Sequence, residues 1–384
     1  MGSKYKLADV LNHHQNDLPY WVTNSWKNRT LHAIRKCRTA ELGGHIDQCN
    51  CCNKLHLSYN SCRNRHCPTC QGHKREQWIN ARTDELLEVP YFHVVFTIAH
   101  EINELCIENP KFIYAILFKT AWATLNGFAK NPEYLEARIG AIMLLHTWGQ
   151  NLNLHPHLHC IVPSGGVEQN GNWKTSKNKG KFLFPVKEMS KVFRAKFVAE
   201  LRKNKVEFKQ EQYDKLFTKP WVVYSKQAFG TPNSVVEYLG RYSHKIALTN
   251  SRILDINNQK DTVTFSHKNY KKEGEKQNLT LTQKEFIRRF SMHILPKGFT
   301  RIRHYGILSG TWKKNNLEDL QEKLNKSARP NPPEIKLNVC LYCKKGKMEP
   351  ICVFQKNRPP PNMEKLIKLH NSKITSKLQS ICFL

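Results

Sequence analysis

The sequence has few acidic residues and no long apolar segment. Asp and Glu total 31 against 61 Lys and Arg, which gives a net charge of +30. No apolar stretch approaches the ~20 residues that a helix needs to span a bilayer. The first residues, MGSKYKLADV, contain no apolar signal core. These absences argue against a membrane protein and against a secreted one, so we expect a cytoplasmic protein.

The excess of positive charge indicates a polyanionic partner. Lys and Arg bind phosphates and release their counterions, so nucleic acid is the expected partner. The hydrophobic content of 40% and the aromatic content of 10% are typical of a folded chain rather than a disordered one. A length of 384 residues allows two or three domains.

The cysteines are concentrated near the N-terminus. In the cytoplasm cysteines stay reduced, and clustered ones usually bind metal. Two CxxC pairs are separated by fourteen residues, and two such pairs can place four thiolates around a tetrahedral zinc ion. We therefore predict a first zinc site formed by Cys49, Cys52, Cys67 and Cys70.

Other potential ligands in the same segment indicate a second zinc site. It would have two sulfur and two nitrogen ligands, from Cys37, His45, Cys62 and His66. Cys51 and His56 could replace members of either set. The segment is polar and has too few apolar residues to bury a core, so the role of zinc would be to fold it.

Histidines alternate with other residues in NLNLHPHLHCIV (151–162), just before an apolar run. Alternate residues of a β-strand share a face, so His157 and His159 are expected to point the same way. Two neutral imidazoles can hold one divalent ion together with a third ligand from a neighbouring strand. On the preceding predicted strand the candidates are Gln150 and His146, and we favour Gln150.

Two tyrosines are candidate nucleophiles. Tyr238 and Tyr242 lie four residues apart in a predicted helix, which places both on one face. Their hydroxyls could attack a DNA phosphate and form 5′-phosphotyrosine links, which conserve the bond energy for rejoining. Alternatively, such a pair is the aromatic face of a helix packed into the core. The neighbouring Arg241 and Lys245 favour contact with phosphate.

The central part of the chain alternates strand-like and helix-like patterns. The order β–α–β–β–α–β–α predicts an α+β fold of ferredoxin-like type, with an antiparallel sheet and helices on one face. The predicted strands are 91–99, 137–150, the histidine strand and 221–229, and the predicted helices are 111–130, 186–205 and 231–245.

Six separated motifs resemble, in order, those of the rolling-circle transposases typified by insertion sequence ninety-one. They are CRTAELGGH, SYNSCRNRHCPTCQG, PYFHVVFT, LHTWGQNLNLHPHLHCIVPSGG, EYLGRYSHKIALTN and EFIRRFSMHILPKGFTRIRHYG. These transposases combine an N-terminal zinc-binding domain with an HUH (His-hydrophobic-His) endonuclease. The resemblance implies a bacterial, nucleoid-associated enzyme that nicks and joins single-stranded DNA.

The resemblance also implies roles for particular residues. His157 and His159 would hold a Mg2+ or Mn2+ ion, and Tyr238 and Tyr242 would be the nucleophiles. The DNA would be the ends of a mobile element, which can fold as hairpins. The sequence contains no GxxxxGK[ST] helicase motif, so a host helicase and the replication machinery would unwind the DNA.

Composition and resemblance together predict four segments. They are a zinc-binding DNA-contact domain over 1–84, an HUH endonuclease domain over 85–250, a β/α segment over 251–330 and a basic, loosely ordered tail over 331–384. In the tail, the pair Cys340 and Cys343 is followed only by Cys352 and Cys382, so the sequence leaves open whether this pair binds zinc.

The sequence leaves other functions open. A plasmid replication initiator or a conjugative relaxase would use the same chemistry, but a zinc cluster ahead of the nuclease favours a transposase. A non-catalytic zinc-ribbon DNA-binding protein would leave the histidines or the tyrosines idle. A zinc hydrolase is less favoured, because HPHLH carries no adjacent Glu in the manner of HExxH.

Overall fold

The computed structural model describes residues 3–70, 84–206, 208–229, 246–269, 273–324, 338–359 and 362–381. The chain forms two compact units. Unit 1 contains residues 1–71, 249–263 and 330–384, and unit 2 contains residues 72–248 and 264–329. Of the helices in the described ranges, none combines the length and the apolar character required to cross a bilayer.

In chain order, the described helices are α1 Leu7–His13, α2 Leu18–Trp21, α3 Ser25–Arg35, α4 Asn103–Glu108, α5 Pro110–Lys130, α6 Val186–Lys203, α7 Gln210–Thr218, α8 Gln283–Met292, α9 Gly310–Lys323 and α10 Met363–Ile381. The described strands are β1 Gly44–Cys49, β2 Leu55–Tyr59, β3 Tyr91–Thr97, β4 Gly140–Trp148, β5 Leu154–Pro163, β6 Gly165–Val167, β7 Trp173–Thr175, β8 Val223–Phe229, β9 Ile253–Asn257, β10 Thr262–Asn269, β11 Glu275–Thr282, β12 Ile302–Gly306 and β13 Met348–Phe354. Short helical turns occupy Ala40–Leu42, His100–Ile102, Lys177–Gly180 and Asn250–Arg252.

The sheet of unit 1 joins the N-terminal and C-terminal parts of the chain. Its order is β2-β1-β13, with both pairs antiparallel. Just before β1, Gly43 has a φ of +72°, and a Cβ added there would lie only 2.6 Å from the Phe354 carbonyl oxygen, so the close approach requires glycine. Helix α10 is joined to β2 because the Leu55 N–H donates to Asn371 Oδ1 at 2.8 Å and Asn371 Nδ2 donates to the Leu55 carbonyl at 2.9 Å.

The N-terminal helices form the second part of unit 1. Buried aliphatic side chains join α1 to α3, namely Leu7, Val10, Leu11, Leu31 and Ile34. Residues 249–263 attach to these helices: the Leu7 N–H donates to the Asn250 carboxamide at 3.0 Å, and His14 Nε2 lies 3.0 Å from the Asp261 carboxylate. Both contacts join residues of unit 1 that are distant in sequence.

The two units differ from the four predicted segments. The segment predicted as a loosely ordered tail over 331–384 is not separate, because its described residues supply β13 and α10 to unit 1. The segment predicted over 251–330 is divided between the units after residue 263. Pairing between the two ends of a chain depends on long-range contacts that a local sequence pattern does not contain.

The five-stranded sheet of unit 2 has the order β12-β4-β5-β3-β8 and is antiparallel throughout. Helices α5 and α6 cover one face and share a hydrophobic core with it, to which β3 and β5 contribute Val94, Phe96, Leu158 and Cys160. Successive residues of a strand point to opposite faces. His93 in β3, and His157 and His159 in β5, therefore lie on the other face.

The mixed helix and antiparallel sheet predicted from the sequence is confirmed, with shorter strands. β3 ends at Thr97 rather than at residue 99, and β4 covers 140–148 rather than 137–150. The sequence patterns did not predict β12, which pairs with β4 as an edge strand. The predicted helix 231–245 lies outside the described residues.

Candidate active site

Three histidines form a cluster on the sheet face opposite α5 and α6. The pairing of β4 with β5 places His146 directly opposite His157, and His159 follows two residues further along β5. The Nε2 atoms of His157 and His159 are 3.1 Å apart. One ring nitrogen from each of the three residues lies within 4.8 Å of the other two. His146 is buried and the other two are half-buried, so the cluster is reached from the side of β5.

Hydrogen bonds at the Nδ1 atoms of His157 and His159 orient these two rings of β5. His157 Nδ1 lies 2.7 Å from the His155 carbonyl oxygen, which can only accept, so neutral His157 carries its proton on Nδ1. His159 Nδ1 lies 2.8 Å from His93 Nε2, with the two rings stacked. Burial lowers the pKa of His93 to about 4, so at pH 7 it is neutral and can accept the His159 proton. Both rings then present an Nε2 lone pair, which is the form of imidazole that can bind a metal ion.

β4 brings His146 into this cluster as the third histidine. The strand ends at Trp148, and its pairing with β5 is irregular between His146 and Trp148. Gln150 lies in the turn that follows, so the strand alternation that favoured it does not extend that far. Trp148 stacks on His146 with 4.6 Å between ring centroids, which restricts the orientation of the imidazole.

Helix α8 fixes the turn between β4 and β5. Arg289 donates to the Asn151 carbonyl in that turn at 3.2 Å and to the Glu285 carboxylate at 2.7 Å. Arg288 and Arg289 hold the pKa of Glu285 at about 2, so this carboxylate is charged at neutral pH. The turn that sets the register of His146 against His157 is therefore held by charged groups.

The edge strand β8 adds two side chains to the histidine face. Tyr224 lies opposite Val95 and Lys226 lies opposite His93 in the pairing of β8 with β3, and both are exposed. The Tyr224 ring centroid is 6.1 Å from that of His93. Sequence reasoning missed His93, Tyr224 and Lys226, because only the pairing of strands distant in sequence brings them to the histidines.

The two predicted nucleophiles, Tyr238 and Tyr242, lie outside the described residues. The described chain before them ends with β8, which is the neighbour of β3 in the sheet.

Unit 1 contains two clusters of four cysteines. The first consists of Cys37, Cys62, Cys67 and Cys70, and the second of Cys49, Cys52, Cys340 and Cys343. Three Sγ–Sγ distances are 3.7 Å, those of Cys62 to Cys70, Cys49 to Cys343 and Cys52 to Cys340. A disulfide would require about 2.05 Å. A tetrahedron of sulfurs around zinc has edges of about 3.8 Å, given Zn–S bonds of about 2.3 Å, so both clusters fit zinc.

Backbone amides stabilise the thiolate form in both clusters. Cys67 Sγ accepts a hydrogen bond from the Thr69 N–H at 3.4 Å, and Cys343 Sγ accepts one from the Gly346 N–H at 3.4 Å. The amides of Gly346 and Lys345 lower the pKa of Cys343 to about 6. The thiolate is the form of cysteine that binds zinc, so the donor chemistry agrees with the geometry.

The structure corrects the predicted grouping of the cysteines. The Cys67–Cys70 pair does not share a cluster with the Cys49–Cys52 pair. Instead, Cys49 and Cys52 meet the C-terminal pair Cys340 and Cys343, whose role the sequence left open. Spacing shows which two cysteines share a knuckle, but it does not show which knuckles share an ion.

The two predicted nitrogen ligands of the second zinc site are outside both clusters. His45 Nε2 lies 3.2 Å from an Asp47 carboxylate oxygen, and His66 Nε2 lies 3.4 Å from Arg65 Nε. Cys67 and Cys70 complete the set around Cys37 and Cys62 in their place.

Comparisons with known proteins agree with these features. Residues 140–316 match the transposase family Y2_Tnp, and residues 10–98 match the transposase zinc-binding domain Zn_Tnp_IS91. No solved structure shows a significant match to the chain.

Two curated relatives are named as transposases. The chain is 38% identical over 367 residues to a protein named as transposase y4qJ of Sinorhizobium fredii (strain NBRC 101917 / NGR234), covering 87% of this chain and 91% of that protein. It is 27% identical over 320 residues to the transposase for insertion sequence element IS801 of Pseudomonas savastanoi pv. phaseolicola, covering 79% of this chain and 75% of that protein. The chain therefore belongs to the IS91 family of transposases.

Proposed function

We propose that this transposase nicks and rejoins single-stranded DNA at the ends of its element, by rolling-circle transposition. The observation that carries the proposal is the convergence of three imidazoles on one face of an antiparallel sheet. The strand order gives support: β8-β3-β5-β4 reads 4-1-3-2 by order of appearance, with α5 and α6 as crossovers on one face. This is the order of a ferredoxin-like sheet, so we assign unit 2 the HUH endonuclease architecture.

A divalent ion would be held by His157, His159 and His146, with Gln150 as the other candidate for the third position. The chemistry that such an ion supplies when bound is polarisation of the scissile phosphate. Mg2+ prefers oxygen ligands, whereas neutral imidazoles suit first-row transition metals. Of Mg2+ and Mn2+, this donor set favours Mn2+.

Tyr238 and Tyr242 would supply the nucleophilic hydroxyls. A phenolic oxygen bonds to the phosphorus while the bond from phosphorus to the 3′-oxygen breaks, which leaves a 5′-phosphotyrosine and a 3′-hydroxyl. The phenol loses one proton and the 3′-oxygen gains one. One phosphodiester replaces another, so rejoining by attack of a 3′-hydroxyl needs no ATP. Two tyrosines allow two successive transfers.

Unit 1 would bind one structural zinc ion in each cysteine cluster. Four thiolates at tetrahedral spacing make closed sites with no open position for chemistry. The partners we propose are single-stranded element ends, which can form hairpins, and a host helicase that separates the strands.

A covalent adduct assay tests the nucleophiles. Purified protein with Mn2+ or Mg2+ is incubated with single-stranded oligonucleotides from the element ends and run on a denaturing gel. We expect an adduct with the natural sequence and none with the double variant Tyr238→Phe/Tyr242→Phe. Tyr20→Phe is the matched control, because this exposed tyrosine lies in α2 of unit 1, outside the unit that carries the histidine cluster, and its loss should leave the adduct intact. An adduct that persists in the double variant would refute the assignment.

The metal ligands are tested by cleavage and binding measured together. His157→Ala combined with His159→Ala should abolish cleavage but keep most DNA affinity, because affinity comes mainly from phosphate contacts. His146→Ala should weaken Mn2+ binding far more than Gln150→Ala, because His146 lies within the cluster. If Gln150→Ala weakened Mn2+ binding more than His146→Ala, Gln150 would be the third ligand.

A further inference from the structure

A cleft lies at the far end of β4 from His146. This cleft of about 720 Å³ in unit 2 is lined by side chains of α5 and α9 and by the segment that leads into β4. We call it the aromatic cleft and define it by Trp122, Asn126, Lys130, Arg138, Trp312 and Asn316. None of these residues belongs to the histidine cluster or to a cysteine cluster, as found among the described residues.

Helices α5 and α9 form two walls of the cleft, and each carries a tryptophan and an asparagine four residues apart. Trp122 and Asn126 lie four residues apart on α5, so they occupy one face of the helix. Trp312 and Asn316 have the same spacing on α9. Each helix therefore presents an indole and, one turn later, a carboxamide to the same space.

The floor of the cleft holds one indole in place. The Trp122 ring stacks on Tyr305 with 5.1 Å between centroids and 18° between planes. Gly306 follows Tyr305 with a φ of +57°, and a Cβ added there would lie 1.8 Å from the Ile139 carbonyl oxygen and 2.9 Å from the Trp122 ring. The absence of a side chain at Gly306 permits the indole to lie this close to the backbone.

The charges around the cleft favour a polyanion. Lys174 lies 3.4 Å from the Glu136 carboxylate and 3.6 Å from that of Glu168, which partly neutralises the two acids of the wall. Lys130 and Arg138 are exposed on the same wall. Backbone hydrogen bonds of 2.8 and 2.9 Å between Arg138 and Val167 fix the chain at the point where the guanidinium projects.

We propose that the aromatic cleft binds one or two unpaired bases of single-stranded DNA. Indoles provide stacking surfaces that any base can use, carboxamides provide hydrogen bonds to base edges, and Lys and Arg contact the backbone. The inference rests on the proposed function, which makes single-stranded DNA the substrate. The cleft lies about 20 Å along β4 from His146, so the bound bases would be about six stacked nucleotides from the scissile phosphate.

Crosslinking of the unaltered protein tests the site without a variant. Single-stranded oligonucleotides from the element ends carry 5-iodo-deoxyuridine at one position each, and irradiated complexes are mapped by mass spectrometry. We expect crosslinks to Trp122 or Trp312 when the iodinated base is about six nucleotides from the cleavage position. Crosslinks that map only outside the cleft, for every position of the label, would overturn the proposal.

Binding by variants gives a second test. Trp312→Ala should raise the Kd for single-stranded DNA about tenfold, and Trp312→Tyr should restore most of the affinity because it keeps a stacking ring. Phe217→Ala is the matched control, since Phe217 is an exposed aromatic of the same unit outside the cleft. The rate of adduct formation at saturating DNA should stay within about twofold in Phe217→Ala. Unchanged affinity in Trp312→Ala would contradict the proposal.

The two proposals fail in different ways. If the natural sequence forms the covalent adduct while the tryptophan variants bind DNA normally and give no crosslinks, the cleft is refuted and the transposase chemistry stands. If no adduct forms but the tryptophans still crosslink and contribute to affinity, the proposed chemistry is refuted and the cleft stands.

Discussion

The orientation of His159 depends on a residue 66 positions earlier in the chain. His93 Nε2 and His159 Nδ1 are 2.8 Å apart. When His159 Nδ1 donates to His93 Nε2, the lone pair of His159 lies on Nε2. Partners of this kind fix the tautomer and the orientation of metal-binding histidines. His93 is therefore expected to act as a positioning residue for the metal centre.

Substitution of His93 should weaken metal binding. We expect His93→Ala to reduce Mn2+ affinity by about 10- to 100-fold, and His93→Gln to recover part of the loss because its amide oxygen can still accept the proton. Calorimetric titration with Mn2+ measures this directly. His155→Ala is the control, because alanine retains the backbone carbonyl of residue 155 that lies 2.7 Å from His157 Nδ1. Equal losses in both variants would contradict the assignment.

The sequence predicted some of these residues because their relation is local. His157 and His159 alternate within one strand, and the period of a strand is sufficient to place them on one face. The third residue of the cluster was harder to predict, because the argument for Gln150 assumed that β4 continued to residue 150, whereas the strand ends at Trp148. His93 could not be predicted without knowing that β3 pairs with β5.

At the scale of elements, the second cysteine cluster explains how the described residues of the C-terminal segment join unit 1. The knuckle that carries Cys340 and Cys343 contributes half of the ligands of one cluster. β13 pairs with β1 beside it, and the Tyr342 hydroxyl donates to the Leu55 carbonyl at 3.3 Å. The sequence alone suggested a loose tail, since a CxxC pair without a local second pair gives no sign of its partner.

Removal of one C-terminal cysteine should therefore affect the N-terminal part of unit 1. We expect Cys343→Ser to reduce the zinc content from about two ions per chain to about one, and to lower the unfolding temperature, because zinc binding contributes directly to folding. Elemental analysis and a thermal melt measure the two effects. Cys51→Ser is the matched control: it alters an exposed cysteine between Cys49 and Cys52, in the knuckle that faces Cys340 and Cys343, and it belongs to neither cluster. Two zinc ions in the Cys343 variant would disprove the clusters.

Substituting alanine for each of two glycines should change the free energy of unfolding in opposite directions. Gly43→Ala should destabilise the protein by about 1–3 kcal/mol, because φ is +72° and the new Cβ would meet the Phe354 carbonyl. Gly127→Ala should stabilise it by about 0.5–1 kcal/mol, because Gly127 lies in α5 with no neighbouring atom within 4 Å of the new Cβ. Urea unfolding of the zinc-loaded protein compares them. Equal effects would show that the backbone at Gly43 is not constrained as described.

At the scale of the whole molecule, the net charge of +30 should dominate DNA affinity. Each phosphate contact releases counterions, so log Kd for single-stranded DNA should rise linearly with log salt. We expect affinity to fall at least a hundredfold between about 50 and about 200 mM salt, for element ends and for unrelated sequences alike. Fluorescence anisotropy at several salt concentrations measures the slope. Affinity that is independent of salt would show that phosphate contacts are not the main source of binding.

The division of the chain into two units was the feature least predictable from the sequence. The sequence indicated an α+β sheet with helices on one face, since strand and helix periods are local signals. It did not indicate that residues 249–263 and the C-terminal segment belong to the same unit as the N-terminus. That division depends on contacts such as Leu7 to Asn250 and Cys52 to Cys340, which join positions hundreds of residues apart.

The central claim is a tyrosine-linked DNA intermediate, and mass spectrometry of the adduct tests it most directly. Trypsin cleaves after Lys226, Arg241 and Lys245, so Tyr238 and Tyr242 fall on different peptides and can be distinguished. The account predicts that the nucleotide mass is attached to peptide 227–241 or peptide 242–245, and that it disappears when His157 and His159 are both alanine. Attachment to any other peptide, or an adduct that forms without the two histidines, would contradict it.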